Sequence, residues 1–387
     1  MSRKDKEKEY RGFEQGPIRP PSEAASLLIR VTRNCPWNRC TFCPVYKGAD
    51  FSLRPVEHVV SDVDAVAGSL AEILRLAQAP GGLTRDGVAA LMERLAPHER
   101  PAFSAALNWY AAGMESVFLQ DANSLIVKPA GLVSVLSHVK KRFPWVRRIT
   151  SYARSHTVAR IAPEDLAAIR EAGLTRIHIG MESGSDRVLA MVKKGSTKAD
   201  HVKAGQRVKA AGIELSEYVM PGLGGRELSS EHATETADAL NQIGPDFIRL
   251  RTLAVSPGTP LAEAREKGAF TRASEVETAQ EILLFLEKLT AAGAYLASDH
   301  ILNLFEDLEG RLPEAKPAML ESVRSFLALP PAARTLYQVG RRMGLFRGLA
   351  DMADPNLAAR ARAVVEHLSI TPENVDDTIY RIMQQFI

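Results

Sequence analysis

Short apolar runs alternate with amphipathic stretches along most of this chain of 387 residues. The stretches between the runs carry apolar residues at helical spacing and end at or near a Gly or Pro. Six βα units of this kind predict a parallel sheet, and right-handed crossovers allow that sheet to curl toward a barrel. The strand-like runs lie at 26–31, 116–120, 147–152, 176–181, 214–220 and 246–253.

Three regions depart from this alternation. Residues 1–25 are charged and then rich in Pro and Gly, which predicts an extended arm. A helical insertion is expected at about 50–112, inside a core of residues 26–262. Residues 263–387 read as a mainly helical extension with one possible strand and loop at 293–305. The predicted fold class is α/β, a partial (β/α)6, TIM-like barrel with this insertion and extension.

Charge and composition narrow the classes of partner. The net charge of +3 comes from 49 basic and 46 acidic residues spread along the chain, so the charge does not indicate nucleic acid as a partner. The basic and aromatic run KKRFPWVRR at 140–148 is explained as well by a solvated helix end. No apolar run reaches the roughly 20 residues of a membrane span, and the start lacks a signal-peptide core. We expect a cytoplasmic protein, and the oligomeric state stays open.

The chain has three cysteines, Cys35, Cys40 and Cys43, and all lie on one loop after the first predicted strand. An odd number without an export signal favours reduced thiols. Three thiolates can hold three corners of a metal site. Zinc would require a fourth ligand, for which His58 is the nearest histidine, although a capping role suits that residue too. A [4Fe-4S] cluster would keep one iron open for another ligand. Three incidental free cysteines are the remaining alternative.

The cysteine loop resembles that of the radical S-adenosylmethionine (SAM) superfamily, whose usual motif is C-x3-C-x-aromatic-C. Phe42 stands at the aromatic position, and the C-x4-C-x2-C spacing here has one extra residue. The resemblance covers roughly residues 26–262. It implies a [4Fe-4S] cluster held by the three cysteines, with the amine and carboxylate of SAM on the open iron. An electron from a flavodoxin or ferredoxin type of donor would then release a 5′-deoxyadenosyl radical.

Residues 177–197, IHIGMESGSDRVLAMVKKGST, resemble the fourth-strand segment of one branch of that superfamily. The branch contains coproporphyrinogen dehydrogenase, the elongator acetyltransferase and the methylthiotransferases. The resemblance implies that Glu182 meets the ribose hydroxyls of SAM. It also implies that Lys194 pairs with the SAM carboxylate, as a looser partner than Arg would be. A surface ion pair on a helix is the structural alternative.

Three other predicted strand ends supply further cofactor candidates. Asp121 or Asn123 stands where the family usually has a GGE-like motif for the methionyl amine, although the Gly-Gly pair is absent. Arg154 is a candidate for the methionyl group. The run YVMPGLGG implies that Gly222 and Gly224 pack against adenine, since glycine permits close approach of the backbone. Turns and helix caps would explain the same residues structurally.

The sequence leaves the reaction open. Asp299 and His300 are candidates to face the substrate, although capping or core contacts would explain them as well. Methylthiotransferases use additional Cys-ligated clusters, and no cysteine remains here for one. We therefore expect a single-cluster enzyme, an oxidoreductase or a transferase, that abstracts hydrogen from an unidentified small organic substrate. A non-catalytic iron-sulfur or heme carrier of coproporphyrinogen-dehydrogenase-like type is the alternative, and a structural zinc protein is the third reading.

Overall fold

The structure is a computed structural model, and it describes residues 9–384. Its strands are β1 (Leu27–Arg30), β2 (Thr32–Arg33), β3 (Ser52–Leu53), β4 (Ser116–Gln120), β5 (Arg148–Ala153), β6 (Arg176–Glu182), β7 (Glu214–Val219), β8 (Phe247–Leu250), β9 (Tyr295–Ala297) and β10 (Glu309–Arg311). Most of the strand pairs are parallel, which confirms the predicted α/β class.

The helices alternate with strands through the middle of the chain and dominate its C-terminal part. They are α1 (Val56–Gln78), α2 (Arg85–Arg94), α3 (Arg100–Ala111), α4 (Pro129–Arg142), α5 (Ser155–Val158), α6 (Pro163–Glu171), α7 (Asp186–Met191), α8 (Lys198–Ala210), α9 (Ser229–Ile243), α10 (Pro260–Glu266), α11 (Glu275–Lys288), α12 (Lys316–Ala328), α13 (Pro331–Arg342), α14 (Pro355–His367) and α15 (Val375–Met383). Among residues 9–384, no helix combines the length and apolar character needed to cross a membrane.

The chain forms two compact units. Unit 1 consists of the described residues up to 36 together with 48–178 and 207–214. Unit 2 consists of 37–47, 179–206 and the residues from 215 onward. The boundaries predicted for the arm, core, insertion and extension remain predictions.

Unit 1 contains a parallel sheet in the order β1, β4, β5. Leu27 pairs with Val117 and Ser116 pairs with Arg148, so β4 lies between the other two strands. The run Val117, Phe118 and Leu119 is inaccessible to solvent, as expected for a strand covered on both faces. The short antiparallel pair β2–β3, which lies between β1 and β4 in sequence, was not predicted.

Two helices of the predicted insertion region, α1 and α3, contact strand β1 of the sheet in unit 1. Helix α1 buries Val59, Val63, Val66, Leu70 and Ile73, which follow one another at intervals of three or four residues. This face packs against α3 and α4. Helix α2 has no buried residue and is capped by the Thr84 hydroxyl, which accepts a hydrogen bond from the Gly87 amide at 3.1 Å.

The N-terminal arm is fastened to unit 1 by polar contacts. The Gln120 side chain accepts from the Gly16 amide at 2.8 Å, and Tyr10 donates to Asp62 at 3.0 Å. Glu23 is fully buried and contacts His178 at 3.4 Å and Arg148 at 3.3 Å. Burial opposes ionisation of Glu23, but the hydrogen bonds from His178 and Ser26 and the Arg148 charge lower its pKa overall. Residues 1–8 of the predicted arm lie outside the described residues.

Unit 2 contains residues 179–182 of β6 and 215–219 of β7 together with β8, β9 and β10, in the order β6, β7, β8, β9, β10. Parallel pairing joins β7 to β8 and β8 to β9, with Ser216 opposite Phe247 and Phe247 opposite Tyr295. The antiparallel strand β10 then pairs with β9. Helix α9 packs against α11, α11 packs against α12, and α13 contacts both α14 and α15. The mainly helical C-terminal part was expected, and the strand β10 was not.

Candidate functional site

The segment that carries Cys40 and Cys43 is docked within unit 2 by three hydrogen bonds. The indole of Trp37 donates to the Lys193 carbonyl at 2.7 Å. The Thr41 amide donates to the Val192 carbonyl at 2.9 Å, and the Thr41 carbonyl accepts from the Leu261 amide at 3.0 Å. Two of the three cysteines therefore lie on a backbone that is tied directly to the residues just before Lys194.

Phe42 anchors the same segment by packing. Its partly buried ring lies against an apolar cluster that includes Val188, Val192, Met220 and Leu223. The ammonium of Lys47 holds the other end, donating to the Cys40 carbonyl at 2.9 Å. The structure thus gives Phe42 a core contact, and the cofactor contact implied by the family stays a prediction.

The three cysteines are each partly exposed. Cys35 belongs to unit 1, whereas Cys40 and Cys43 belong to unit 2. Across residues 9–384, no group of three His, Cys, Asp or Glu side chains is arranged to hold a metal ion. The assignment of all three cysteines as cluster ligands stays a prediction. His58 packs edge-on against Tyr10, with ring centroids 5.6 Å apart, and this contact explains the residue without metal ligation.

Glu182 and Lys194 are brought together at the end of β6. Lys194 Nζ lies 3.0 Å from Glu182 Oε1, and the two side chains are only 11% and 14% exposed, respectively. A Cβ at Gly180 would clash with Glu182 Oε1 and lie 3.2 Å from Lys194 Nζ, so glycine leaves room for the pair. Glu182 has a φ of +66°, a left-handed conformation that is uncommon outside glycine. Such strain is frequent where a side chain is held for function.

The turn between β6 and α7 explains the ESGS part of this sequence. Ser185 caps α7 by accepting from the Val188 amide at 3.2 Å. The Gly184 amide donates to Thr236 at 2.8 Å, and a Cβ at Gly184 would clash with the Glu235 carbonyl. Ser183 contacts the His232 ring at 2.8 Å. The small residues after Glu182 are therefore required for close packing against α9.

Glu217 on β7 is a candidate that the sequence did not single out. It is inaccessible to solvent, and neither carboxylate oxygen has a hydrogen-bond partner among the described residues. Burial raises the pKa of Glu217 well above its ordinary value, the Glu182 charge raises it further, and the Lys194 charge lowers it. A signal was present, since Glu217 takes the apolar phase between Leu215 and Val219.

The candidates in unit 1 are engaged with their own unit. Asp121 is buried and accepts from the Arg30 guanidinium at 2.8 Å and from the Asn34 amide at 3.2 Å. Asn123 accepts from the Arg154 amide at 3.0 Å and donates to Thr157 at 2.9 Å. Asn123 and Arg154 are therefore brought together through the Arg154 backbone. The proposed contacts of Asp121, Asn123 and Arg154 with SAM stay predictions.

The glycine-rich loop after β7 has local reasons for its glycines. Gly222 adopts a φ of +84°, and its amide donates to Glu281 at 2.7 Å. A Cβ at Gly224 would lie 3.0 Å from the Leu228 backbone, closer than real contacts allow without a shift. A strand-ending turn therefore explains both residues, and their contact with adenine stays a prediction.

Asp299 and His300 follow β9 in unit 2. Asp299 pairs with Arg249 at 2.7 Å, and His300 accepts from the Leu302 amide at 3.2 Å. Burial and then the Arg251 charge lower the pKa of His300 to about 4, with Asp299 opposing the change. Asn303 bonds the Thr252 amide and the Leu250 carbonyl at 2.8 Å each. The cluster joins β8 to the loop after β9, and a substrate role for Asp299 or His300 remains an expectation.

Residues 111–239 match the model of the radical SAM superfamily. This region contains Asp121, Asn123, Arg154, Glu182 and Lys194, and it begins after the cysteine loop. The match places a radical SAM domain in this part of the chain. Proteins of this superfamily use a [4Fe-4S] cluster and SAM, and most of them are enzymes.

Relatives with named functions are only partly matched. The chain is 26% identical over 266 residues to tRNA-2-methylthio-N(6)-dimethylallyladenosine synthase of Hahella chejuensis, covering 67% of this chain and 49% of the relative. It is 30% identical over 132 residues to the heme chaperone HemW of Mycobacterium tuberculosis, covering 34% of this chain and 33% of the relative. The chain thus spans about half or less of the length of these relatives.

Similarity to solved structures is weaker. Coproporphyrinogen III oxidase (HemN) from Escherichia coli aligns over 70% of this chain and 53% of its own, with 14% identity and a TM-score of 0.45.

The residues of unit 2 fit the chemistry of the family's cofactors. The sulfur atoms of Cys40 and Cys43 are of the soft donor type that iron-sulfur clusters require. The Glu182–Lys194 pair offers one cation and one acceptor, which suits a ligand with both a carboxylate and hydroxyl groups. The unpartnered carboxyl of Glu217 adds a buried polar group near that pair.

Proposed function

We propose that this chain is a radical SAM enzyme that abstracts hydrogen from a small organic substrate. The observation that carries the proposal is the nearly buried Glu182–Lys194 pair. It lies in the matched region of the chain, and Trp37 and Thr41 attach the segment of Cys40 and Cys43 beside it. Lys194, the proposed partner of a carboxylate, and the cluster candidates Cys40 and Cys43 thus lie in the same compact unit.

Each residue of the site has a distinct task under this proposal. Cys35, Cys40 and Cys43 hold the cluster, and Phe42 keeps its segment packed. Lys194 binds the carboxylate of SAM, Glu182 accepts hydrogen bonds from the ribose, and Gly222 and Gly224 let the backbone approach adenine. Asp121 or Asn123 receives the methionyl amine, and Arg154 contacts the methionyl group. When bound, the cluster and SAM supply a 5′-deoxyadenosyl radical, using an electron from an external flavodoxin or ferredoxin type of donor.

A small organic substrate suits the charge distribution. Basic and acidic residues number 49 and 46 and are interspersed, so the charge supports a small molecule more than a polyanion. Asp299 and His300 are the proposed substrate-facing residues, and the two outcomes, oxidoreductase and transferase, differ in the fate of the substrate radical.

A non-catalytic iron-sulfur or heme carrier is the second candidate. The relative named as a heme chaperone, which is 30% identical over 132 residues, favours it. Retention of Glu182 and Lys194 as a held pair favours the enzyme, because a carrier has no need for a SAM carboxylate site. A structural zinc protein is the third candidate, and it would purify colourless with one bound zinc.

The deciding experiment is anaerobic reconstitution with iron and sulfide, followed by dithionite and SAM. We expect 5′-deoxyadenosine from the wild-type protein. Cys35→Ala, Cys40→Ala and Cys43→Ala should each lose the cluster and all product. Val45→Ala, an exposed change in the same segment, should keep both. A full cluster without 5′-deoxyadenosine would overturn the enzyme proposal, and tight heme binding by that protein would select the carrier.

A further inference from the structure

Glu217 is a buried carboxyl group with no structural partner. It is inaccessible to solvent, and neither oxygen forms a hydrogen bond within the described part of the chain. A buried polar group left unsatisfied costs about 1–3 kcal/mol, and an ionised one costs more. Its register neighbour on β8 is Ile248, so an apolar residue would serve the packing of β7 better. Glu217 therefore weakens the fold as it stands.

The charged groups that act on Glu217 are those of the Glu182–Lys194 pair. Glu182 repels an ionised Glu217 and Lys194 attracts it. The Glu182 carboxylate, 3.0 Å from Lys194 Nζ, largely offsets the charge of Lys194, so little of that charge remains to stabilise an ionised Glu217. With both carboxylates ionised, the three side chains would carry a net charge of −1, and with Glu217 neutral they carry none.

We propose that Glu217 offsets the positive charge of a cationic ligand that binds at the Glu182–Lys194 pair. The inference rests on the proposed function, which makes that ligand SAM. SAM carries a sulfonium, an ammonium and a carboxylate, so its net charge of +1 complements a site of −1. S-adenosylhomocysteine has the same nucleoside and amino-acid groups but lacks the sulfonium charge. Glu217 thereby selects the sulfonium form, and it releases a proton when that form binds.

The test measures SAM and S-adenosylhomocysteine binding to the reconstituted protein by anaerobic calorimetry at pH 7. The wild-type protein should bind SAM at least ten-fold more tightly than it binds S-adenosylhomocysteine. Glu217→Gln, which keeps the shape and removes the charge, should weaken SAM binding about ten-fold and leave S-adenosylhomocysteine unchanged. Glu235→Gln, at a carboxylate that pairs with Lys198 in the same unit, should change neither affinity.

A second measurement needs no variant. Calorimetry in two buffers of different ionisation enthalpy should show proton release when wild-type protein binds SAM and much less with S-adenosylhomocysteine. Equal weakening of both ligands in Glu217→Gln, or no proton release, would overturn the assignment of Glu217 while 5′-deoxyadenosine formation kept the proposed function. Wild-type protein that binds neither ligand would overturn both proposals.

Discussion

The indole of Trp37 covers Gly195, and its N–H donates to the carbonyl of Lys193 at 2.7 Å. A Cβ on Gly195 would clash with the ring, so this glycine is required for the cysteine segment to dock. The contact links the segment that carries Cys40 and Cys43 to the residues around Lys194. The position of the thiols in unit 2 therefore depends on a residue that bears no functional group.

Replacing Gly195 should disturb cluster loading. Gly195→Ala adds backbone strain of about 1–2 kcal/mol at a φ of +68° and displaces Trp37, so iron content after reconstitution should fall. Gly212→Ala is the matched control, because Gly212 has a φ of +69° and open space around its Cβ position. The two variants should lose similar stability from strain, and only Gly195→Ala should lose iron. Equal iron content in both would contradict the docking role of Trp37.

Lys194 should determine SAM affinity. Lys194→Ala removes the cation proposed for the SAM carboxylate, and we expect SAM binding to weaken ten-fold or more. Lys194→Arg should recover much of it, since the charge is kept. The control is Lys198→Ala, which removes a lysine that pairs with Glu235 at 2.6 Å and Asp238 at 2.5 Å. If both alanine variants bind SAM equally well, the Glu182–Lys194 pair is only structural.

Glu217 should make the fold less stable as the pH rises. Its pKa is raised by burial first and then by Glu182, so the folded state retains a proton that the unfolded chain loses. The stability that this proton provides is complete below the ordinary pKa near 4.5 and is lost as the pH rises toward the folded value. Chemical denaturation from pH 5 upward should show a steeper fall for wild type than for Glu217→Gln. Parallel pH profiles would show that Glu217 ionises normally.

His300 should make the fold less stable as the pH falls, the opposite of the effect expected for Glu217. Its pKa falls from 6.5 to about 4, chiefly through burial and then through Arg251, so the folded state resists protonation. Its contribution to stability is present above pH 6.5 and is lost as the pH falls toward 4. His300→Asn retains an acceptor for the Leu302 amide and should flatten the profile between these values. NMR titration of the His300 ring would test the pKa directly, and a value near 6.5 would refute the prediction.

Glu23 should anchor the N-terminal arm. Glu23→Ala leaves the buried His178 ring without its carboxylate partner and removes a partner of Arg148, which should cost about 3 kcal/mol. Glu57→Ala, at the exposed start of α1, should change stability by less than about 0.5 kcal/mol. Denaturation curves would compare the two, and similar midpoints would show that the arm contributes little.

The sequence predicted the regular elements best where burial was continuous. Strand β4 covers 116–120, as expected from its apolar run. The helices at 56–111 lie in the region where helices were expected. Strand β8 ends at Leu250 instead of continuing to 253, because the residues after Arg251 bond to loops: the Thr252 amide donates to the Asn303 side chain and the Leu253 amide to the Pro221 carbonyl. Strand β10 has the sequence EGR, which contains no apolar pattern, and it forms through its pairing with β9.

The contacts of the candidate site also fall into those that a local motif predicts and those that tertiary structure sets. The pairing of Glu182 with Lys194 follows from one continuous motif in sequence. In contrast, the partners of Asp121 are Arg30 and the Asn34 amide, which lie about ninety residues away and are set by tertiary structure. Glu217 was missed although it lies in phase with Leu215 and Val219, because the complete burial of that face of β7 depends on tertiary packing.

Under the proposed function, the contact between Lys194 and Glu182 makes ligand binding an exchange of one partner of Lys194 for another. Glu182 is an internal competitor for the ammonium, held within the same unit at 3.0 Å and therefore at a very high effective concentration. A molecule that offers only a carboxylate replaces the Glu182 carboxylate with a similar group, so the net gain in binding free energy is small. It also leaves Glu182 without the ammonium of Lys194. A ligand that brings donors for Glu182 together with its own carboxylate would satisfy both side chains, so the pair would discriminate against simple carboxylates that lack such donors.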